Sequence, residues 1–454
     1  MKVIVIGSGM ASLGAIKALI ERGVKPIVLD IGLIPAQNTS KQKNELRERV
    51  LKKRKDPELQ WSNEKGGFSN VWGASVLCPP ASEFINWDKD AVPTSLHYKK
   101  CSEGIFYTAA EDGLSFLFKH PHSKLKVPPE DKSAEYLLNK FNKIKENKKL
   151  SWCVGRARQF IDYESNSIYS AKIEIENMEK NKKIIYMPGS FVKNITEQKD
   201  KVFVEYVSNG KESTLEGTSL FIGAGAVNTT KLLAKLCKLY ETKLQLKYVD
   251  STVLPFFTFK NISYNKNKTL SNIFFELKDS EKSNTYSHIQ ISRPNEIIFD
   301  LLKYNRLPNL LKKFVNYGLG HLYTALISNH SEICGSYEII LKKIKNTDDF
   351  VIKNYPKPVN QKRILKNLSN ILNSIGAYNL PQASKNFDTH YYIGGSFPMT
   401  KTPQKVTDTD IFGRPRGIKR IHAIDSSIFP SIPSSTIGLL AMANAYRIAK
   451  LSKL

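Results

Sequence analysis

The chain has 454 residues, 68 of them Lys or Arg against 42 Asp or Glu, for a formal net charge of +26, with 41% hydrophobic and 10% aromatic residues. That length exceeds one ordinary core and the composition is that of a folded chain, so two domains, or one large domain with insertions, are expected. No apolar run reaches the roughly 18 residues of a membrane span, and cysteines 78, 101, 153, 237 and 334 lack CxxC spacing, which leaves a soluble protein of a reducing compartment, the cytoplasm, with neither a disulfide framework nor a metal site.

The opening MKVIVIG is too short an apolar run for a signal peptide. Its β-branched residues 2–6 suit a strand buried in a parallel sheet. Gly7-Ser8-Gly9-Met10-Ala11-Ser12 follows, then a helical apolar pattern through Ala15, Leu19 and Ile20 to Gly23, then PIVLD ending at Asp30. Strand, glycine turn, helix, strand and acid form the dinucleotide-binding βαβ unit. Gly7 permits the tight turn, and Gly9 lets backbone approach a pyrophosphate at the helix N-terminus. Asp30, 23 residues after Gly7, is placed for a ribose. Ser12 stands where a third glycine is usual, so the helix is expected slightly farther from the strand. FAD and NAD sites share this unit.

Basic clusters occur at 41–55 (KQKNELRERVLKKRK), 143–149 and Lys312-Lys313. Such charge suits nucleic acid or anionic lipid, but the lysines are spread along the chain and no nucleic-acid motif accompanies them. A solvated lysine-rich surface is the expected reading, with an anionic substrate or a peripheral membrane contact as the sharper one.

GGFSNVWGA at 66–74 is poor as helix or strand, and its small residues allow backbone to pass close to a flat ligand. Residues 202–207 alternate as a strand before the hairpin turn Ser208-Asn209-Gly210-Lys211. Residues 219–222 then run into Gly223-Ala224-Gly225-Ala226-Val227 and a helix, a second strand–glycine–helix junction. Strands are expected at 252–259, 288–292 and Leu322–Ser328, the last flanked by His321 and His330, either of which is a candidate for lining a pocket. The basic amphipathic stretch 295–317, interrupted by Pro308, fits a sheet cover better than a membrane surface. Residues 360–374 form a clearer helix, with Ile364, Leu365, Leu368, Ile371 and Leu372 on one face and Gly376 at its end.

Near the C-terminus, HYYIGGSFPM (390–399) precedes DTDIFG (408–413), and IHAIDSSIFPSIPSST (421–436) leads into the small-residue helix Gly438–Leu451. A strand here ends at Asp425, crosses a proline-bounded loop and enters a helix whose N-terminus faces a ligand. His422 is expected to be a strand residue packed on a helix. His97, His120, His122 and His288 have no context that singles them out.

Together these segments resemble the glucose-methanol-choline (GMC) oxidoreductase family of flavoproteins. The matches are the N-terminal glycine unit with its acid, GGFSNVWG, GAGAVNTTKLL and, most specific, the C-terminal block; roughly 250–390 carries no matching motif. The resemblance implies FAD. Its binding residues would be Gly7, Gly9, Met10, Ala11, Ser12 and Asp30; Gly67, Ser69, Asn70, Trp72 and Gly73; Gly223, Ala224 and Gly225; and Asp425, Ser426, Ser435 and Thr436. It also implies an α/β fold, α+β overall. A Rossmann-like FAD-binding domain would be discontinuous in sequence (1–78, 150–245 and 396–454), with an inserted substrate domain of antiparallel sheet and helices (79–149 and 246–395).

Alcohol oxidation needs a base at the substrate hydroxyl. In the family this is a His in an H-x-x-G-[TG] motif, with a second His or Asn eleven residues after the Asp of D-x-S. Aligned on Gly394-Gly395, the first position falls on Tyr391, with His390 one residue early; the second falls on Thr436. His390 is the leading candidate for the base, with Tyr391 or Tyr392 as alternatives. The expected function is FAD-dependent oxidation of a CH–OH group in a sugar-like or other alcohol, anionic and lipid-linked ones included. Electrons would pass to an external acceptor, oxygen or a quinone-like carrier. Two other readings stand beside it: a flavin-binding protein that has lost this chemistry and serves a structural or assembly role, and an NAD-dependent enzyme using the N-terminal unit alone.

Overall fold

The computed structural model describes residues 1–33, 59, 61–102, 132–145, 152–157, 161–162, 167–262, 271–278, 285–294, 308–309, 312, 318–344, 347–357, 361–379, 384–386 and 390–454. The 41–55 cluster, His120, His122 and nearly all of the 295–317 stretch lie outside the described residues.

Five short strands make a parallel sheet in the order Ile421–Ala423, Ser219–Ile222, Val3–Ile6, Ile27–Leu29, Ile185–Met187. Val3–Ile6 is the centre, buried throughout, as a β-branched run covered on both faces should be. The sheet therefore gathers the beginning, the middle and the end of the chain into one layer. The helices Met10–Glu21 and Gly438–Leu451 pack against each other so closely that a Cβ on Gly14 would stand 2.1 Å from the Met442 carbonyl oxygen. An antiparallel meander follows, Phe191–Gln198, Lys201–Ser208 and Lys211–Gly217. Its second turn has the expected positive φ at Asn209 and Gly210.

A second, antiparallel sheet of seven strands is built from Trp152–Arg156, Ile273–Lys278, Tyr286–Ser292, Leu322–Ser328, Ser251–Thr258 and Ala377–Asn379, with Lys385–Asn386 paired beside Ser251–Thr258. One face is apolar and lies under the helices Lys132–Lys145 and Gln361–Ser374, whose Phe141, Ile364, Leu368 and Leu372 join its core. The stripe expected at 360–374 is the one that is buried. A four-stranded sheet of Lys243–Tyr248, Ser336–Ile344, Thr347–Tyr355 and Ile393–Gly394 completes the fold. Among the described residues no helix is long and apolar enough to cross a membrane, and none of the five cysteines forms a disulfide.

The fold is α/β with a Rossmann-like domain assembled from separate chain segments and an antiparallel sheet with helices inserted between them. Two details differ from the sequence expectation. Trp152–Arg156 was expected in the nucleotide-binding segment 150–245, but it pairs with residues 273–277 in the seven-stranded sheet. Cys153 and Val154 are fully buried there. The loop at 66–74 is also not wholly irregular, for Gly67–Asn70 forms a 3-10 turn.

Candidate functional site

The Val3–Ile6 strand ends at Gly7, whose φ is +93° and whose Cβ would lie 2.5 Å from the Gly223 carbonyl oxygen. A side chain would force two paired strand ends apart. Gly9 has open space where its Cβ would be, and the helix that starts beyond it has no side-chain cap. Gly7, Gly9, Met10 and Ala11 line one end of a cavity of about 1080 Å³, large enough for a dinucleotide-sized ligand.

Three helices begin on this cavity. Gly225 precedes Ala226–Leu236 and Ile437 precedes Gly438–Leu451; like Met10–Glu21, neither has a side-chain cap. The first turn of each contributes to the wall. Uncapped N-termini concentrate amide donors and the positive ends of helix dipoles where an acceptor-rich ligand would lie.

Asp30 also lines the cavity. Ser8 Oγ donates to its Oδ2 and so does the Tyr186 hydroxyl, at 2.9 Å. Ser8 Oγ in turn accepts from Gly66 N at 2.9 Å, tying the acid to the glycine loop. Burial pushes the Asp30 carboxyl up to about 6, against the lowering effect of those hydrogen bonds.

In the 66–74 loop, Gly67, Ser69, Trp72 and Gly73 line the cavity. Trp72 is fixed by Nε1 donating to the Tyr169 carbonyl at 2.7 Å, and its ring abuts Gly438, where a Cβ would lie 2.8 Å away. Asn70 corrects the expectation. Its amide is spent on Glu64 Oε2 (3.0 Å), the Lys65 carbonyl (2.8 Å) and the Ser170 hydroxyl (2.6 Å), so it braces the loop and is absent from the wall. Ser12 is likewise a scaffold residue. Its hydroxyl donates to the Ile6 and Gly223 carbonyls at 3.3 and 3.2 Å, and its space comes from Gly223, whose Cβ would fall 2.3 Å from it. The missing third glycine has been moved to the neighbouring strand end.

Gly223, Ala224, Gly225, Asp425, Ser426 and Thr436 all reach the cavity. Burial raises the Asp425 carboxyl, while Thr229 Oγ1 (2.5 Å) and the Ser427 amide (3.0 Å) donate to it. Thr436 Oγ1 and Ser190 Oγ are buried in the wall without a protein partner. Ser435 Oγ is also without a partner, but Ser435 is not a wall residue.

Of the expected proton-handling residues, Tyr391 and Thr436 share the cavity wall, and Tyr392 lies beside them. His390 does not. It is 7% exposed, stacked on Tyr248 at 3.8 Å, with Nδ1 bonded to the Tyr337 hydroxyl and Nε2 3.1 Å from Asp250 Oδ1. The three residues that follow it, Tyr391, Tyr392 and Ile393, line the cavity, while the partners of His390 hold its ring outside the wall. His321 and His330 are committed to the Thr258 and Glu83 carbonyls (each 3.0 Å) and neither lines the cavity. His422 is a strand residue, stacked on Phe221 and bonded to the Phe412 carbonyl, with burial pushing it down to about 4. Ser452, at the end of the last helix, lies 3.4 Å from it.

Sequence reasoning missed the wall formed by Gly189, Ser190 and Val192, and the polar wall formed by Ser251, Gln290 and Ser328 of the seven-stranded sheet. The strand expected at 288–292 is present within Tyr286–Ser292, but its sequence carried no sign that Gln290 lines a cavity. Glu83, 1% exposed, was missed altogether: its carboxylate accepts from the amides of Tyr286 (3.0 Å) and Ser434 (2.8 Å) and from Ser434 Oγ (2.9 Å).

No protein-family model matches the sequence. No curated protein matches it either. Among solved structures, the chain is similar in fold to pyridoxine 4-oxidase from Mesorbium loti, with a TM-score of 0.64 and 12% sequence identity over 99% of this chain and 98% of that one.

Proposed function

We propose that this chain is an FAD-dependent oxidoreductase of the GMC type that oxidises a CH–OH group of a small alcohol or sugar-like substrate. The observation that carries the reading is the convergence of three uncapped helix N-termini on one cavity, whose far wall is the polar face of a separate sheet. The residues present fit the cofactor. Gly9 leaves room for close backbone approach, Asp30 would accept from a ribose, and the Thr436 and Ser190 hydroxyls are buried donors in want of an acceptor. When bound, FAD would supply a two-electron hydride acceptor. Ser251, Ser328 and Gln290 offer hydroxyls and an amide to a polyol, and Tyr391, 46% exposed, presents its phenol to the same space. An NAD site built on the N-terminal unit alone would leave the Ser426 and Thr436 wall without a purpose. The fold shared with an oxidase makes molecular oxygen the first electron acceptor to test.

The second reading, a flavin-binding protein without alcohol oxidation, is favoured by Tyr391 standing where the family resemblance implies His and Thr436 where it implies His or Asn. Purified protein should be yellow and release FAD on denaturation, and anaerobic bleaching by a panel of alcohols and sugars should separate the two. A colourless protein that takes up no FAD defeats both.

Asp30 gives a pH signature. Its folded value of about 6 lies above the ordinary carboxylate value of about 3.9. The folded state therefore holds the extra proton between these values. The contribution to stability is fully present below about 4 and lost as pH rises through about 6. Asp30→Asn is expected to melt higher than wild type at pH 8 and no higher at pH 4. Nucleotide affinity runs the other way, because the ionised form accepts better from a ribose. It should fall as pH drops through about 6 in wild type and stay level in Asp30→Asn. Calorimetric melts and FAD titrations at the two pH values check both halves.

A further inference from the structure

The seven-stranded sheet ends, away from the cavity, in an exposed cluster of aromatic rings. Strand Ser251–Thr258 reaches the cavity at Ser251 and carries Phe257 near its other end, roughly 20 Å along the chain. Phe257 pairs with Tyr378 across the sheet, and the two rings lie 5.8 Å apart. Phe259, one residue beyond the strand, closes the group, with its ring 5.9 Å from Phe257 and 5.3 Å from Tyr378. Phe259 is 76% exposed and Tyr378 39%. Single exposed apolar side chains are ordinary on a protein surface. Rings in mutual contact, with their outer edges in water, mark an interaction surface.

The surroundings of this cluster are basic. Lys260 follows Phe259, and its Nζ lies 5.1 Å from the centre of the Tyr136 ring, near the start of the helix Lys132–Lys145. Lys140 Nζ lies over the same ring at 5.7 Å. Tyr378 is joined through Gly376 to the helix Gln361–Ser374. The two helices turn Phe141, Ile364, Leu368 and Leu372 to the sheet, and Lys132, Lys143, Lys362 and Lys366 are exposed on them. The first helix has four Lys, and the second has two Lys and an Arg, against a single acid, Glu135. That acid is bonded to Arg156 Nη2 at 2.9 Å.

We propose that this end of the antiparallel domain is a docking surface for an anionic lipid bilayer. Aromatic side chains settle at the boundary between headgroups and acyl chains, and lysines beside them are drawn to lipid phosphates. Phe259 and Tyr378 enter that boundary, with Lys260, Lys140 and Lys143 at headgroup level. The contact is peripheral, since no described helix is long and apolar enough to cross a membrane. A nucleic acid would answer the lysines but not the rings. Phe259 stands at 85° to Phe257 and 59° to Tyr378, which is no platform for stacked bases. The surface and the cavity wall occupy opposite ends of one strand, so the docking stands apart from the chemistry proposed for the cavity.

Sedimentation of the purified chain with lipid vesicles tests the surface. Binding is expected to phosphatidylcholine vesicles carrying about 30% phosphatidylglycerol, and at least about tenfold weaker to phosphatidylcholine alone. Raising salt from about 0.1 M to about 1 M shortens the screening length from about 10 Å to about 3 Å and should release the protein. Phe259→Ser with Tyr378→Ser should weaken binding to the anionic vesicles about tenfold, with circular dichroism and melting as in wild type. Lys140→Gln, Lys143→Gln and Lys260→Gln together should weaken it as much while keeping the rings. Phe259→Trp should bind and be quenched by brominated acyl chains. Absence of binding to the anionic vesicles overturns the proposal. So does undiminished binding in either the Ser or the Gln variant, or a Phe259→Trp protein that binds without quenching. Lysine-dependent retention of duplex DNA without vesicle binding would assign the surface to nucleic acid and overturn it too.

Discussion

Gly14→Ala should lose both fold stability and FAD uptake, although it adds one methyl group far from any ligand. The added carbon would lie 2.1 Å from the Met442 carbonyl oxygen, in the backbone of the partner helix. Ordinary contacts begin near about 3.5 Å, so the two helices would have to separate by roughly an ångström. Overpacking of this kind costs about 3 kcal/mol. Because both helices start at the cavity, separating them also spreads the amide groups that would hold the cofactor. Gly9→Ala is the matched control. Its Cβ meets nothing within 4 Å, so it should melt with wild type yet bind FAD at least tenfold more weakly, because the methyl points into the cofactor's space. Thermal melts and FAD titration of the two variants check the contrast. A Gly14→Ala protein with wild-type melting would show that the helices do not pack at this distance.

Glu83→Ala is the second large effect. The carboxylate answers two amides and a hydroxyl, all in the interior. Each buried donor left without an acceptor costs about 1–3 kcal/mol, so the sum should reach about 3–5 kcal/mol. Ser434 is two residues from Thr436, and Tyr286 is two residues from His288. The change should therefore disturb both sides of the cavity together. Glu83→Gln keeps one acceptor oxygen but turns an NH2 group toward donors, and should fall between Ala and wild type. Urea unfolding curves measure the series. A loss under about 0.5 kcal/mol for Glu83→Ala would mean that water replaces the carboxylate.

The parts of the site that follow from local chain geometry were legible in the sequence. Gly7, Gly9 and Asp30 are fixed by one strand–turn–helix–strand unit, and Gly225 by a second such junction, so spacing alone placed them. The helix over 360–374 was equally plain from its apolar stripe. Asn70 and Ser12 have polar side chains beside cavity glycines, and only the partners that tertiary folding brings them show that they brace the loop and the strand ends. His390 failed because the partners that hold its ring away from the cavity, Tyr248, Tyr337 and Asp250, are brought to it only by tertiary folding. Glu83 was invisible because its partners are distant in sequence: Ser434 lies 351 residues from it. No local pattern records such a pairing.

The parallel sheet has one further consequence, for the order in which the molecule can be made. Leu220 donates to the Arg420 carbonyl, and the helix at 10–21 packs on one that ends at Leu451. At roughly 5–20 residues per second, a ribosome needs on the order of 20–90 s between those two helices. For that whole interval the first βαβ unit is outside the ribosome with an apolar helix face uncovered. The cavity wall is thus completed only when Gly438–Leu451 reaches Met10–Glu21, more than four hundred residues after the first helix has left the ribosome.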